Sequence, residues 1–172
     1  MNIYEITIPK KRVAVLIGKK GSTKRRIEKI TSTKLTIDSE LGLVTIKGED
    51  SLKTYQTKSV IEAIGRGFNP NISLSLLKED ICFEIIPMQN FAGRSKNNLI
   101  RIKSRIIGTR GKCRKTIESM TDTEISIYGK TVSIIGELQN VLIAKKAVED
   151  ILAGAPHAPV YKTIELSIER LK

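Results

Sequence analysis

Two four-residue turns carry the candidate chemistry of this sequence, Gly18-Lys19-Lys20-Gly21 and Gly108-Thr109-Arg110-Gly111. Each sets Lys or Arg between two glycines. Glycine has no Cβ to hold a ligand away, and it takes left-handed, crowded conformations that other residues avoid. A helix that starts directly after such a turn presents backbone amides to an anion, and its dipole favours negative charge there. Cationic side chains add longer-range attraction to a polyanion. The implied chemistry is non-covalent capture of a sugar-phosphate backbone. A lone G-x-x-G is weak evidence, and a helix C-cap followed by a helix start explains a single copy better. Two copies in matched surroundings argue against that plain reading.

Charge placement agrees with this. The 172 residues carry a formal net charge of +12. Lys10–Lys34 holds ten basic residues and one acid, and Arg101–Lys115 holds seven and none. Those 40 residues carry 17 basic groups against one acid, so the other 132 hold 13 against 17. A basic surface that served only solubility would spread its charge; this one is focused on the two turns, as a nucleic-acid partner requires. Apolar content of 40% and charged content of 28% are ordinary for a globular protein. The length suits one or two small domains. No apolar run approaches a membrane span and MNIYEITIPKK lacks a signal-peptide pattern, so an intracellular, cytoplasmic location is expected. Cys82 and Cys113 form no C-x-x-C and read as packing residues; neither a disulfide nor a metal is expected.

The elements that position the turns follow from periodicity. Tyr4, Ile6 and Ile8 alternate with Glu5 and Thr7, a half-buried strand. Val13, Leu16 and Ile17 give a short helix ending at Gly18. After Gly21, Ser22 or Thr23 is placed to cap a second helix with Ile27 and Ile30 inward. Leu35 and Ile37 mark a second strand, Leu43–Lys47 a third, and Ser51–Ile64 a longer helix. Residues 69–80 read as a helical connector, Ile81, Phe83 and Ile85 as a strand, and Leu99, Ile102 and Ile106 as a helix running into Gly108.

From there the chain repeats. Gly18/Gly108, Gly21/Gly111, Ile27/Ile117, Glu28/Glu118, Thr31/Thr121, Thr33/Thr123, Leu35/Ile125 and Ile37/Ile127 all differ by 90. Gly48 and Gly136 differ by 88, which shortens the second hairpin by two. Leu138–Leu152 supplies a last helix. The order β-α-α-β-β-α occurs twice, an α+β fold with domains expected at residues 1–68 and 81–154 and a tail at 155–172. Within the tail, Ile164, Leu166 and Ile168 fit a strand, while Ile164, Ile168 and Leu171 fit a helix. His157, between Pro156 and Pro159, is expected to be exposed.

An isoleucine before G-x-x-G, between two helices in this order, resembles a type I KH domain, a module whose GXXG loop clamps four backbone nucleotides. The resemblance implies two tandem KH domains, each a three-stranded antiparallel sheet packed on helices. One departure is that Lys24 and Arg114 stand where the KH pattern has an aliphatic residue. The run from Arg101 to Gly136 (RIKSRIIGTRGKCRKTIESMTDTEISIYGKTVSIIG), with GAPHAPVY after the last helix, is similar to one family in particular. This is the archaeal counterpart of the KH-type small-subunit ribosome assembly factor called partner of Nob-one, or Dim-two. That resemblance implies binding to the 3′ end of small-subunit rRNA and partnership with the Nob-one endonuclease. It also implies partnership with the alpha subunit of initiation factor two and with the pre-small-subunit particle. Eukaryotic members have a degenerate first KH unit, whereas Gly18-Lys19-Lys20-Gly21 is intact here.

On this reading Gly108 and Gly111 shape the clamp, Thr109 sits nearest the RNA backbone, and Arg110, Lys112 and Arg114 hold phosphates. Arg101, Lys103 and Arg105 flank the groove, unless they are simply a solvated helical face. Ile107, Ile117, Ile125 and Ile127 form an aliphatic floor; core packing explains the same residues and suits Ile117 better. Gly18, Lys19, Lys20, Gly21, Lys24, Arg25 and Ile37 are their counterparts in the first unit.

Competing classes fare worse. Aromatic content of 4% argues against a stacking platform of the RRM or OB type. An enzyme is not expected: one histidine, no H-E-x-x-H and no Walker turn leave little for acid–base or phosphoryl chemistry. Glu28 and Glu118 are better explained by pairing with neighbouring Lys or Arg. No cofactor is implied. A general KH RNA-binding adaptor in RNA degradation or translation is the alternative to an assembly factor.

Overall fold

Alternation of apolar and polar residues from Asn2 onward builds the first strand, β1 (Asn2–Thr7), in which Tyr4 and Ile6 are half-buried while Ile3, Glu5 and Thr7 are exposed. The structure, a computed structural model, describes all of residues 1–172. The chain divides into two compact units, Met1–Glu79 and Asp80–Lys172.

In the first unit β1 leads into α1 (Lys10–Ile17), a 3-10 turn over Lys19–Gly21, and α2 (Ser22–Thr31). A hairpin follows, β2 (Thr33–Asp38) and β3 (Leu43–Gly48), then α3 (Ser51–Gly65). The Asp50 carboxylate accepts from Lys53 N and so caps α3. The sheet is antiparallel with β3 central, in the order β1-β3-β2. Tyr4 and Leu35 flank Ile46, and Ile6 and Ile37 flank Val44, so one face of the sheet meets the helices. Leu16, Ile27, Leu35, Val44, Ile46, Val60, Ile61 and Ile64 form the core. Each such side chain contributes about 1.5–3 kcal/mol by leaving water.

The 69–80 segment, expected as a connector, folds as α4 (Pro70–Leu74) and a 3-10 turn over Ser75–Leu77. Asn69 caps α4, Pro70 starts it, and Leu76 is buried. This segment is part of the first unit.

The second unit repeats the pattern: β4 (Ile81–Pro87), α6 (Lys96–Ile107), a 3-10 turn over Thr109–Gly111, α7 (Lys112–Thr121), β5 (Glu124–Tyr128), β6 (Thr131–Glu137) and α8 (Leu138–Leu152). Its antiparallel sheet has β6 central, in the order β4-β6-β5. A single helical turn, α5 (Gln89–Ala92), breaks the loop before α6 and buries Ala92 beside Met88. The undecided tail is helical, α9 (His157–Leu171), and buries Val160 and Ile164 against the same core. Spacing of three and four, not two, therefore sets its buried face.

Two local expectations need correction. Neither Ser22 nor Thr23 caps α2; Gly21, left-handed at φ 76°, takes the N-cap place with no side-chain bond. Ile30 does not face inward but is 48% exposed, because the buried stripe of α2 runs through Ile27 and Thr31.

Candidate nucleic-acid interface

The two turns are the same object built twice. Gly18 lies at φ 74°, ψ 175° and Gly108 at φ 76°, ψ 171°. The third residues, Lys20 (φ 53°, ψ 30°) and Arg110 (φ 56°, ψ 28°), are left-handed without being glycine. Gly21 and Gly111 follow at φ 76° and 75°. Holding a side chain in that region costs about 1–2 kcal/mol, and such strain gathers at functional sites. The conformation turns Lys19, Lys20, Thr109 and Arg110 out to solvent.

The first glycine of each turn also satisfies a close approach. A Cβ on Gly108 would lie 2.6 Å from Cys113 N, and one on Gly18 would lie 2.3 Å from Thr23 Oγ1. The amides of Gly21 and Ser22 bond back to Gly18 O and Lys19 O, and those of Gly111 and Lys112 to Gly108 O and Thr109 O. Those two donors of each turn are used inside it, and the cationic side chains of the turn point outward.

Electrostatics around each turn is one-sided. Neither α2 nor α7 has an acid in its first turn. Lys24 and Arg25 occupy that turn of α2; Lys112, Arg114 and Lys115 occupy that of α7. Cations at a helix N-terminus oppose the dipole, so an anion docked there relieves repulsion in both helices.

Lys24 and Arg114, the departures from the KH pattern, are explained by the acids one turn on. Lys24 Nζ lies 3.8 Å from Glu28 Oε1, and Arg114 Nη1 lies 2.5 Å from Glu118 Oε1. The same carboxylates accept from strand amides, Glu28 from Leu35 N at 2.8 Å and Glu118 from Ile125 N at 3.0 Å. Each acid thus staples its clamp helix to the adjacent edge strand and holds a cation over the junction. The pairing expected for Glu28 and Glu118 is present. Burial, and then the neighbouring Glu118 charge, raises the Glu124 carboxyl above its ordinary range.

The remaining candidates divide. Arg101, Arg25 and Lys112 are exposed. Lys103 Nζ donates to Gly129 O at 3.1 Å and so ties α6 to the β5–β6 hairpin. Ile107, Ile127 and Ile37 are half-buried, as a groove floor demands, whereas Ile117 and Ile125 are buried core residues that offer a ligand no surface.

Arg105 is not a groove residue. Its guanidinium donates to Ile151 O and Ala155 O, both at 2.6 Å, and closes the C-terminus of α8. In the first unit Arg12 does the same for α3, donating to Ile64 O at 2.8 Å and Phe68 O at 2.9 Å. The two arginines differ by 93, one helical turn away from the 90-residue offset, so alignment alone hides their shared role.

His157 is likewise half-buried rather than exposed, with Nε2 2.9 Å from Arg105 O. No sequence signal marked these partners, because each bond joins elements about 50 residues apart.

Comparison with known proteins agrees with this geometry. The family described as the eukaryotic type KH domain (KH-domain type I) matches residues 82–169, and the general KH domain matches residues 3–63. A KH domain-containing protein of Methanocaldococcus jannaschii is 46% identical over 99% of this chain and 76% of its own length. RNA-binding protein pno1 of Dictyostelium discoideum is 28% identical over 98% of this chain and 73% of its own. Among solved structures, the archaeal Dim2p chain in an a/eIF2alpha-aDim2p-rRNA complex from Pyrococcus horikoshii is 43% identical. It superposes with a TM-score of 0.91 over 98% of this chain and 95% of its own. With both KH units matched and a likeness to archaeal Dim2p that runs over nearly the whole chain, the chain belongs to the Dim2/PNO1 family of KH-domain proteins.

Proposed function

We propose that this chain is an RNA-binding ribosome-biogenesis factor that holds single-stranded RNA in both KH grooves without cutting it, and that its target is the 3′ end of small-subunit rRNA. The observation that carries this reading is the near identity of the two turns, each left-handed at a basic residue and followed by a helix with no acid in its first turn. Gly18, Lys19, Lys20, Gly21, Lys24 and Arg25 form the first clamp. Gly108, Thr109, Arg110, Gly111, Lys112 and Arg114 form the second, with Arg101 and Lys103 at its flank and Ile107 and Ile127 as its floor.

The target class is supported by the Pyrococcus relative, whose complex contains rRNA, and by relatives named as pre-rRNA-processing proteins. The a/eIF2alpha subunit in that complex supports the corresponding subunit as a protein partner of this chain. The Nob-one endonuclease is the partner proposed to carry out the cleavage. No helix is long and apolar enough to cross a membrane; the cytoplasm, where such a factor meets pre-ribosomes, is the proposed location.

The test is fluorescence anisotropy with a short RNA of the small-subunit rRNA 3′ end and an unrelated single strand of equal length. Wild type is compared with Lys19→Asp/Lys20→Asp and Thr109→Asp/Arg110→Asp; Asp tolerates the left-handed third position. The rRNA end binds more tightly, each double change weakens it, and the second weakens it more. Equal affinity for the two RNAs would favour a general KH adaptor. Indifference to both double changes would defeat the clamp.

A further inference from the structure

The two clamps share a backbone conformation but are supported differently from behind. In the first unit the segment after α3 is tied from α1, where Arg12 donates to Phe68 O at 2.9 Å, and from the clamp helix, where Arg26 Nη1 donates to Asn71 Oδ1 at 2.5 Å. In the second unit the fifteen-residue α9 takes that place. It touches both helices that the turn joins. His157 Nε2 meets Arg105 O at 2.9 Å, in the last turn of α6. One turn along α9, the Tyr161 ring lies against His157, tilted by 41° with ring centres 6.1 Å apart. Tyr161 packs on the core cluster that contains Cys113, and α9 as a whole packs on α7. Cys113 is the residue on which Gly108 packs. Arg105 completes the frame by binding Ala155 O, two residues before α9 begins.

Resting on the RNA-clamp reading above, we propose that His157 and Tyr161 are positioning residues: α9 fixes the relation between α6 and α7 across Gly108–Gly111, so that the second clamp is held in its binding conformation before RNA arrives. In the first unit Arg12 supplies the tie that Arg105 makes here, but Thr23 stands at the position matching Cys113 and no long helix follows α3. The first clamp, tied at Arg12 and Arg26 but with no long helix packed behind it, is held less firmly and orders more of its turn during binding. A preorganised site gains affinity by avoiding that ordering cost, and the gain falls mainly on the rate of release.

The full chain carrying Lys19→Asp/Lys20→Asp isolates the second clamp. In that background His157→Ala, His157→Gln and Tyr161→Ala are compared well below their melting temperatures. Two readouts are taken: amide hydrogen exchange of residues 108–112 without RNA, and the dissociation rate of the rRNA 3′-end strand. His157→Ala and Tyr161→Ala should each speed exchange in the turn and raise the dissociation rate about tenfold. The salt dependence of affinity should stay as it was, because no phosphate contact is lost. His157→Gln, which keeps an amide donor, should stay within about twofold of the parent. Unchanged exchange in the turn, or faster exchange with unchanged dissociation, overturns the positioning role. If the parent bound no RNA, the RNA-clamp reading would fail by itself, and exchange in the turn would still decide whether α9 braces it.

Discussion

At the scale of single residues, the two glycines of a turn do different work, and substitution separates them. A Cβ on Gly111 would meet only the flexible end of Lys115 at 3.7 Å, so Gly111→Ala bears mainly the left-handed backbone penalty, about 1–2 kcal/mol. A Cβ on Gly108 would press on the Cys113 backbone, which cannot yield without moving α7. Gly108→Ala should therefore cost roughly 3 kcal/mol or more. Urea unfolding of the two variants checks the order, and equal costs would show that α7 can shift freely. Lys112 tests the conflict between stability and function. It is the first residue of α7 and opposes the helix dipole. Lys112→Glu should stabilise the second unit by about 1 kcal/mol, roughly 5 °C in a unit of this size, while weakening RNA binding. A fall in both properties would mean that Lys112 supports the fold rather than the ligand.

Elements are joined here by short repeated devices, and these decide how much could be read in advance. Both helix-to-strand corners place a left-handed residue, Ser32 or Asp122, between two buried threonines whose hydroxyls meet, Thr31–Thr33 at 2.7 Å and Thr121–Thr123 at 2.8 Å. Thr121→Val should cost about 1–3 kcal/mol by leaving Thr123 without its side-chain partner, and Thr121→Val/Thr123→Val should recover most of that loss in thermal melts. The matched threonines were visible as repeat positions, but their contact was not, because only the folded corner brings them together. The same division runs through the site. Strands, clamp helices and both turns follow from local periodicity and glycine placement, whereas Arg105, Arg12 and His157 act on elements far away in the chain. The tail stayed ambiguous because Ile164 and Ile168 satisfy both periods, and packing against α7 and α8 resolves it as α9. Edge strand β5 offers a pH test of the staple beside it. Glu124 titrates above its ordinary range, so the folded state binds this proton more tightly than the unfolded chain does. Its contribution to stability is present below the unfolded pKa and is lost as pH rises through the folded one. Because Glu124 is only partly covered and its carboxyl still meets water, Glu124→Gln should gain no more than about 0.5 kcal/mol at pH 7. In melts across the acid range the gain should vanish below the unfolded pKa, and a constant gain would assign it to something other than titration.

Across the whole molecule, the charge that makes the chain basic sits on two surfaces of one design, while the rest is slightly acidic. Such a molecule should bind RNA as two electrostatic contacts in series, and ionic strength can count them. Each KH clamp engages about four nucleotides, hence roughly three or four phosphates. With single-stranded RNA the logarithm of affinity falls by about 0.7 per phosphate for each tenfold rise in salt, so one clamp contributes a slope near −2 to −3 and two near −5. Lys19→Asp/Lys20→Asp should remove about half of the wild-type slope, Thr109→Asp/Arg110→Asp a similar part, and all four changes nearly the whole. Anisotropy titrations between about 50 and 300 mM salt read this directly. The result separates two molecules that affinity alone confuses. If the first clamp is an RNA site, its loss lowers both the affinity and the slope. If it only supports the second, affinity falls while the slope stays at the wild-type value. The near-identical dihedral angles of the two turns, with their matched excess of cations, predict the first outcome.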